Sequence, residues 1–320
     1  MQNDLMQWFG LTVPILQAPI GGVATPELVE AVGRAGAMGS LALTWTPLDT
    51  AADQIARLNA TGLPYFVNFV LRFGTTVPRA ALKHRPPCLT LSWGCDAQTI
   101  ALAHDQGIRV GVQVGSAAGA AAAIAAGADF VIAQGMEAGG HVQSTTPLAS
   151  LLPAVLATAG QVPVVAAGGI ARAADIATCL KQGAQAVMMG TRFVATDESI
   201  AHDVYKQALV AAAVDDTSFT LCFDLTWPFA LHRVLRNATL EAWEAAGHPA
   251  PPFRPGEGEV LFHQNGQPVL RYSDEPPYVG ASGEVGDGCL YAGTGVSHIA
   301  QVEPAEAMVK RLWAESQSLL

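Results

Sequence analysis

The chain has 320 residues, of which half are hydrophobic and 14% are charged, so it can build a large buried core and is not a disordered chain. Its formal net charge of −10, from 17 basic and 27 acidic residues, disfavours binding to nucleic acid or to an anionic membrane surface. The five cysteines form no CxxC pair and no cluster with histidine. We therefore expect buried free thiols, with neither a disulfide nor a metal site.

Residues 142–171 contain no Asp, Glu, Lys or Arg, a run long enough for a membrane-spanning helix. The run also holds three prolines and three glycines, which favour a short helix followed by a buried strand. The first ten residues carry an acid and no basic residue, unlike a secretory signal. These observations predict a cytoplasmic protein with no membrane segment.

Through the first two-thirds of the chain, short apolar runs alternate with stretches of helical composition. The runs predict eight strands at 14–19, 37–43, 64–70, 88–94, 109–115, 130–134, 163–167 and 186–190. The stretches predict helices at 25–35, 47–60, 96–106, 117–126, 148–159 and 172–182. The strands are continuously apolar, which is typical of strands covered on both faces. Eight strand–helix units predict an α/β fold, a closed (β/α)₈ barrel over residues 1–198, with an open doubly wound sheet as the alternative.

The composition changes after residue 198. Residues 199–248 have helical composition, 249–288 are rich in Pro and Gly, and 297–318 form an amphipathic pattern. We interpret 199–297 as a mainly helical and loop elaboration that covers the mouth of the barrel, and 298–320 as a helix that packs back on it. The acidic balance and the Pro-rich segment are compatible with a homodimer.

In a (β/α)₈ barrel the active site lies at the carboxyl ends of the strands. The sequence VPVVAAGGIARAADI puts Gly168 and Gly169 at the end of the seventh strand, and AVMMGTRF puts Gly190 and Thr191 at the end of the eighth. Glycines let backbone approach a ligand, and helix amino-termini offer unpaired N–H groups, so the pair of motifs predicts a phosphate site. Tight strand–helix packing without a ligand is the alternative. No GxGxxG follows the first strand and no GxxxxGK[ST] occurs, which favours a mononucleotide cofactor.

The segment QGMEAGGH follows the sixth strand and ends at His141. A histidine in a strand-end loop can act as a base, as a donor to an anion or as a cofactor contact, although a structural histidine is the common alternative. Glu137 is expected to bond to nearby backbone and is not assigned as an acid. Further polar residues at strand ends are Gln17, Asn68, Gln113 and Gln134. No GxSxG motif and no recognisable Cys–His pattern occurs, which disfavours a hydrolase with a nucleophilic side chain.

These residues resemble the nitronate monooxygenase family, formerly called 2-nitropropane dioxygenases, which also includes FMN-dependent enoyl-[acyl-carrier-protein] reductases of the FabK type and related NADH:quinone reductases. The resemblance spans about residues 10–195 and rests on PILQAPIGGVATPELVEAVGRAGAMGSL, VNF, AQGMEAGGHVQ, VPVVAAGGIA and GAQAVMMGTRF, with a weaker match at LYAGTGVSHI. It implies an FMN-binding (β/α)₈ barrel. The residues that it implies as flavin contacts are Ala18, Pro19, Ile20, Asn68, Gln113, Gln134, Gly139, Gly140, Gly168, Gly169, Met189, Gly190, Thr191 and Gly293.

The resemblance implies that His141 lies near the flavin and assists oxidation of an alkyl nitronate with O₂ to a carbonyl compound and nitrite. We expect a protonated His141 to offset negative charge there. The alternatives are an NAD(P)H-dependent FMN reductase acting on an enoyl thioester or a quinone, and a flavin-binding protein without turnover. The chain departs from many members at Gln143, where a glycine is usual, and at Trp93, where some members have a second histidine. The region between the third and fourth strands is also short, and all three departures affect the expected substrate pocket.

Overall fold

A barrel of eight parallel strands forms the centre of the protein, in a computed structural model that describes residues 3–320. The strands are β1 (Ile15–Gln17), β2 (Gly39–Ala42), β3 (Tyr65–Val70), β4 (Cys88–Ser92), β5 (Arg109–Val114), β6 (Phe130–Gln134), β7 (Val164–Ala167) and β8 (Ala186–Met189). Their order is β1-β8-β7-β6-β5-β4-β3-β2. Met38 closes the ring, because its N–H donates to Ile15 O at 3.0 Å and its carbonyl accepts from Gln17 N at 2.9 Å. The closed barrel is confirmed, and the open sheet is not the fold.

The barrel interior is filled by large apolar side chains, and its amino-terminal end is closed by helix α1 (Asp4–Phe9). Phe66 and Phe130 point inward and belong to the same buried cluster as Leu5 and Met6 of α1. The residues between them along each strand, such as Val67, pack outward against the surrounding helices. Both faces of the strands are therefore buried, which explains their continuous apolar sequences. Helix α1 is an element that the sequence did not predict.

Seven helices surround the strands: α2 (Pro26–Arg34), α3 (Leu48–Thr61), α4 (Thr76–Ala81), α5 (Ala97–His104), α6 (Ala117–Ala125), α7 (Leu148–Ala159) and α8 (Ala173–Lys181). Side-chain caps fix several of their starts; the Asp96 carboxylate, for example, accepts from Thr99 N–H at 2.9 Å. Six of these helices coincide with predicted ones. The six-residue α4 was not predicted.

The ring of helices is completed by the last helix of the chain, α12 (Ala305–Gln317). Only the four-residue α9 (Thr191–Val194) directly follows β8, whereas α12 packs between α8 and α2. The Ser316 hydroxyl donates to Ala173 O at 3.3 Å, and Arg34 pairs with Glu306 at 3.2 Å. Residues 199–304 are thus an insertion between the eighth barrel strand and the helix that belongs after it.

The insertion, which we call the cap, contains α10 (Asp203–Ala211), β9 (Thr217–Thr220), β10 (His232–Leu235), α11 (Ala238–Ala245), β11 (Val260–Gln264), β12 (Gln267–Leu270) and β13 (Ser282–Gly283). Strands β9 and β10 lie in the region of helical composition, which is therefore only partly helical. Strand β10 pairs with β9 and with the short strand Gly140–His141 of the barrel. In the region expected to be loop, β11 and β12 form a hairpin through Asn265 and Gly266, both with positive φ.

The five cysteines are all free, and four of them are buried as expected. Cys95 is the exception, because it lies in an exposed turn after β4. Within residues 3–320, no group of three His, Cys, Asp or Glu side chains could hold a metal ion. No helix of this part of the chain combines the length and apolar character needed to cross a membrane.

Candidate functional site

A cavity of about 800 Å³ opens at the carboxyl ends of the barrel strands, beneath the cap. This volume is within the range of about 300–1,000 Å³ usual for small-molecule sites. Every residue that the sequence predicted as a flavin contact lines this one cavity, as does His141. Barrel closure therefore brings together motifs that are up to 275 positions apart, between Ala18 and Gly293. Their contact with a flavin stays a prediction.

At one end of the cavity, the glycine motifs after β7 and β8 present free backbone donors. Gly168 and Gly169 have φ of +112° and +70°, a conformation that other residues rarely adopt. The N–H groups of Gly169 and Thr191 make no hydrogen bond within the described protein. The Thr191 hydroxyl accepts from Gly293 N–H at 2.9 Å, which leaves its own proton for a ligand oxygen. These donors fit a phosphate group.

Gly139 and Gly293 are required by the packing of two loops. A Cβ on Gly139 would lie 2.5 Å from Gly293 N, and a Cβ on Gly293 would lie 2.8 Å from Glu137 O. The neighbouring Thr294 N–H donates to Glu137 O at 3.0 Å and joins the same two loops. Both glycines therefore have a structural reason to be glycine, in addition to the predicted flavin contact.

Amide side chains at the ends of β5 and β6 form a connected cluster in the cavity. Gln113 Nε2 donates to Gln134 Oε1 at 3.1 Å and to Gln143 Oε1 at 3.0 Å. Gln143, the departure from the family pattern, thus fixes the orientation of a predicted contact. Asn68 donates to Thr90 Oγ1 at 3.0 Å on β4. Gln17 does not line the cavity; it is fully buried, and its side chain bonds to the backbone of Ser40.

His141 lines the same cavity under an aromatic cover. Its ring stacks on Trp227 of the cap, with centroids 4.2 Å apart and planes at 26°. Its Nε2 atom is buried without a hydrogen-bond partner in the described structure. Burial, with a smaller effect of neighbouring His232, lowers the pKa of His141 to about 3. The ring is therefore neutral at pH 7 in this structure, and the protonated form expected from the sequence is not the form that it favours.

His232 pairs with His141 across the short strand, but its own nitrogen atoms are both used. Its Nε2 accepts from Phe223 N–H at 3.2 Å, so the ring proton is on Nδ1 and bonds to Ala230 O at 2.9 Å. Burial also lowers the pKa of His232. His232 is consequently a neutral structural histidine and not a second acid or base.

The loop that carries His141 is held from both sides. The guanidinium of Arg233 on β10 donates to Met136 O from Nε at 3.3 Å and from Nη2 at 3.0 Å. On the barrel side, the Glu137 carboxylate accepts from Leu148 N–H at 2.9 Å, at the start of α7. Glu137 therefore bonds to backbone, as expected.

Several cavity residues come from the cap and were not predicted as site residues. They include Trp227, Asp274, Glu275, Tyr278 and Tyr291. Trp227 belongs to the region of helical composition, and no sequence motif marks it as a site residue. The positions of the others depend on how the cap folds over the barrel, and no local motif identifies them.

The fold and the cavity define a (β/α)₈-barrel protein with a small-molecule site at the carboxyl ends of its strands. The family model for nitronate monooxygenase matches residues 2–88 and 76–315, which is most of the chain. The chain belongs to the nitronate monooxygenase family, as the sequence motifs indicated. It is therefore an oxidoreductase, in a family for which flavin dependence is typical.

Individual relatives differ in what they are named for. The chain is 36% identical, over 77% of its length and 69% of the relative, to (3aS,4S,5R,7aS)-5-hydroxy-7a-methyl-1-oxo-octahydro-1H-indene-4-carboxyl-CoA dehydrogenase from Mycobacterium tuberculosis. It is 29% identical, over 98% of its length and 95% of the relative, to nitronate monooxygenase from Paraburkholderia phytofirmans. The solved structure of nitroalkane oxidase from Streptomyces ansochromogenes superposes with a TM-score of 0.80 at 30% identity, covering 99% of this chain and 98% of the other.

Proposed function

We propose that this protein binds FMN and oxidises alkyl nitronates with O₂ to a carbonyl compound and nitrite, with His141 assisting at the flavin. The observation that carries the proposal is the unpartnered, buried Nε2 of His141 in the same cavity as the free N–H groups of the glycine motifs. A phosphate at the glycine motifs and a reacting anion at His141 would use both sets of donors.

The residues present fit FMN in three respects. Gly168, Gly169, Gly190 and Thr191 would hold its phosphate through backbone N–H groups and the Thr191 hydroxyl. Ala18, Pro19 and Ile20 offer an apolar wall for a flat ring, beside Met189, and the amides of Asn68, Gln113 and Gln134 offer hydrogen bonds to its polar edge. Bound FMN would supply the electron-accepting chemistry, which no side chain of the cavity can supply.

The protein's own contribution is to orient the nitronate and to exclude water. A neutral His141 can donate one N–H to an oxygen of the nitronate, and the incoming negative charge raises the pKa of the ring. Trp227 covers His141 and is only 6% exposed, so bulk water has little access to that side of the imidazole. The hydrogen bond therefore forms in surroundings of low polarity, where it is strong.

The test is an absorbance spectrum of the protein loaded with FMN, followed without oxygen during separate additions of ethyl nitronate, NADH and NADPH. We expect the nitronate to bleach the flavin or to change its spectrum, and the nicotinamides to leave it unchanged. With oxygen present, nitrite should accumulate. The variant His141→Gln should bind FMN with a much lower nitrite yield, whereas His263→Gln, on the exposed side of β11, controls for loss of a histidine. A protein that does not take up FMN would refute the proposal.

The second candidate is an NAD(P)H-dependent FMN reductase acting on an enoyl thioester or a quinone. The dehydrogenase named for a carboxyl-CoA substrate, at 36% identity, favours it. However, none of the described residues that line the cavity is Lys or Arg, the usual partners of nucleotide phosphates. Prompt reduction of the flavin by NADH or NADPH, without a response to nitronate, would favour this candidate over the first.

A further inference from the structure

The cavity wall beyond His141 is aromatic. Trp45 follows β2, Trp93 follows β4 and Trp227 comes from the cap, and all three line the cavity. Phe73 after β3 lies between two of them, with its ring centroid 5.1 Å from Trp45 and 5.0 Å from Trp227. Trp93 and Trp227 are 4.8 Å apart. The edge-to-face geometry of these pairs is the one that aromatic rings prefer, so the wall is a defined surface.

This wall extends from solvent-exposed rings to the ring stacked on His141. Trp45 is 60% exposed and Phe73 is 44% exposed, whereas Trp227 at the inner end is buried against His141. Exposed aromatic side chains that continue into a cavity are typical of a surface that receives an apolar ligand. The ring centroids of Trp227 and Trp93 lie 4.2 Å and 6.5 Å from that of His141, so a group carried by a substrate at His141 would face this wall.

The charged side chains that line the cavity are negative. Among the residues 3–320 that line the cavity, Asp274 and Glu275 are the charged ones, and neither Lys nor Arg is present. Asp274 is held beside the Trp227 segment, because it accepts from Thr226 N–H at 3.2 Å and from the Thr226 hydroxyl at 2.6 Å. A ligand with a second acidic group therefore meets two carboxylates and no cationic partner.

We infer that the site selects nitronates whose carbon carries an aryl or another large apolar group, and that it rejects nitronates that carry a second acidic group. The inference rests on the proposed function, since it names the substrate class of the same site. The aromatic wall would contact the apolar group of the substrate. The carboxylates of Asp274 and Glu275 would repel a substrate that carries a second negative charge.

Binding of unreactive analogues tests the selection separately from turnover. A carboxylate is planar and anionic like a nitronate, so benzoate, propionate and succinate represent the aryl, the short and the dianionic substrate. Their dissociation constants can be measured from the absorbance of the FMN-loaded protein and from the fluorescence of the cavity tryptophans. We expect benzoate to bind roughly tenfold more tightly than propionate, which is the gain of one good aromatic contact. Succinate should bind more weakly than propionate.

Two pairs of variants identify the residues responsible. Trp45→Ala should remove most of the advantage of benzoate, and Phe229→Ala, which truncates an 89% exposed aromatic residue of the cap outside the cavity, should not. Glu275→Gln should reduce the difference between the dissociation constants of propionate and succinate. Glu284→Gln changes the net charge equally, at an exposed cap position outside the cavity. It should leave the difference between the two dissociation constants unchanged.

Turnover should follow the order of binding. We expect kcat/KM to be highest for the nitronate of phenylnitromethane, lower for that of nitroethane and lowest for that of 3-nitropropionate. Benzoate binding no more tightly than propionate, succinate binding as well as propionate, or equal effects within either pair of variants would overturn the inference. Failure to produce nitrite from all three nitronates would instead refute the proposed function, because the binding order is measured without reaction.

Discussion

Replacing His141 by glutamine should change how the stability of the protein depends on pH. The imidazole stacks on Trp227, and its Nε2 atom is buried without a partner, so the folded state disfavours the charged ring. Its pKa is lowered from 6.5 to about 3. The unfolded chain binds a proton at this residue below about pH 6.5, whereas the folded protein does not until about pH 3.

The sign and size of the effect follow from that difference. Between pH 6.5 and pH 3 the unfolded state binds more protons, so the free energy of unfolding falls as the pH falls. Each pH unit below 6.5 removes about 1.4 kcal/mol, and at pH 5 the loss is about 2 kcal/mol relative to neutral pH. In His141→Gln this contribution is absent, and a shallower pH dependence remains from the other groups, including buried His232.

The assay is urea denaturation followed by tryptophan fluorescence at half-unit steps from pH 5 to pH 7.5, on the wild type and His141→Gln. The difference in the free energy of unfolding between the two proteins should shrink by about 2 kcal/mol from pH 7 to pH 5. In parallel, histidine ring signals in a ¹⁵N-labelled sample should include one set that stays neutral down to pH 5 and disappears in the variant.

Parallel stability profiles of the two proteins, or a His141 signal that titrates near pH 6.5, would refute this reasoning. Either result would mean that the imidazole is hydrated or paired in solution and that Trp227 does not cover it. The neutral donor in the proposed function would then have to be replaced by the protonated histidine that the sequence alone suggested.

Substitutions at three further positions test the glycine motifs and the loop after β6. Thr191→Val should weaken FMN binding, measured by flavin fluorescence, by about tenfold or more, because it removes a hydroxyl donor to an anion, and Thr191→Ser should restore it. Gly139→Ala should lower the unfolding temperature by several degrees, since its Cβ would lie 2.5 Å from Gly293 N, and an unchanged value would show that the two loops separate easily. Glu137→Ala should lower the free energy of unfolding by about 1 kcal/mol, because the hydrogen bond to Leu148 N–H is lost. Glu137→Gln should retain most of that stability, because its amide oxygen can still accept the bond.

The barrel could be predicted from sequence because its signals are local. Each strand is buried on both faces, so it appears as an apolar run wherever it lies in the chain, and 130–134 coincides with β6 residue for residue. Helices α1 and α4 have six residues each, which is too short for a helical period to be visible. The site motifs after β7 and β8 were also local, because each is a short glycine-containing sequence at the end of a strand. Positive φ explains the glycines at 168 and 169, whereas Gly190 has a φ of −113° and its reason to be glycine stays the predicted ligand.

The cap could not be predicted in the same way, because its strands pair across long distances. Strand β10 pairs with Gly140–His141, more than ninety positions earlier, and no composition rule indicates such a partner. The β11–β12 hairpin did carry a local signal in Asn265–Gly266, the usual residues of a two-residue turn. Trp227 and Glu275 enter the cavity only through the folded cap, and no motif marks them.

The pairing of the cap with the loop after β6 also fixes the position of His141 in the cavity. Val142 N–H donates to Leu231 O at 2.9 Å, and Arg233 holds Met136 O, so residues on both sides of His141 are bonded to the β10 region. The barrel holds this loop through Glu137 before His141 and through Gln143 after it, whereas β10 pairs directly with Gly140–His141. Arg233→Met should therefore impair His141-dependent oxidation more than it impairs FMN binding, because the phosphate donors belong to β7 and β8. An equal loss of both would mean that the cap supports the whole cavity and not the imidazole in particular.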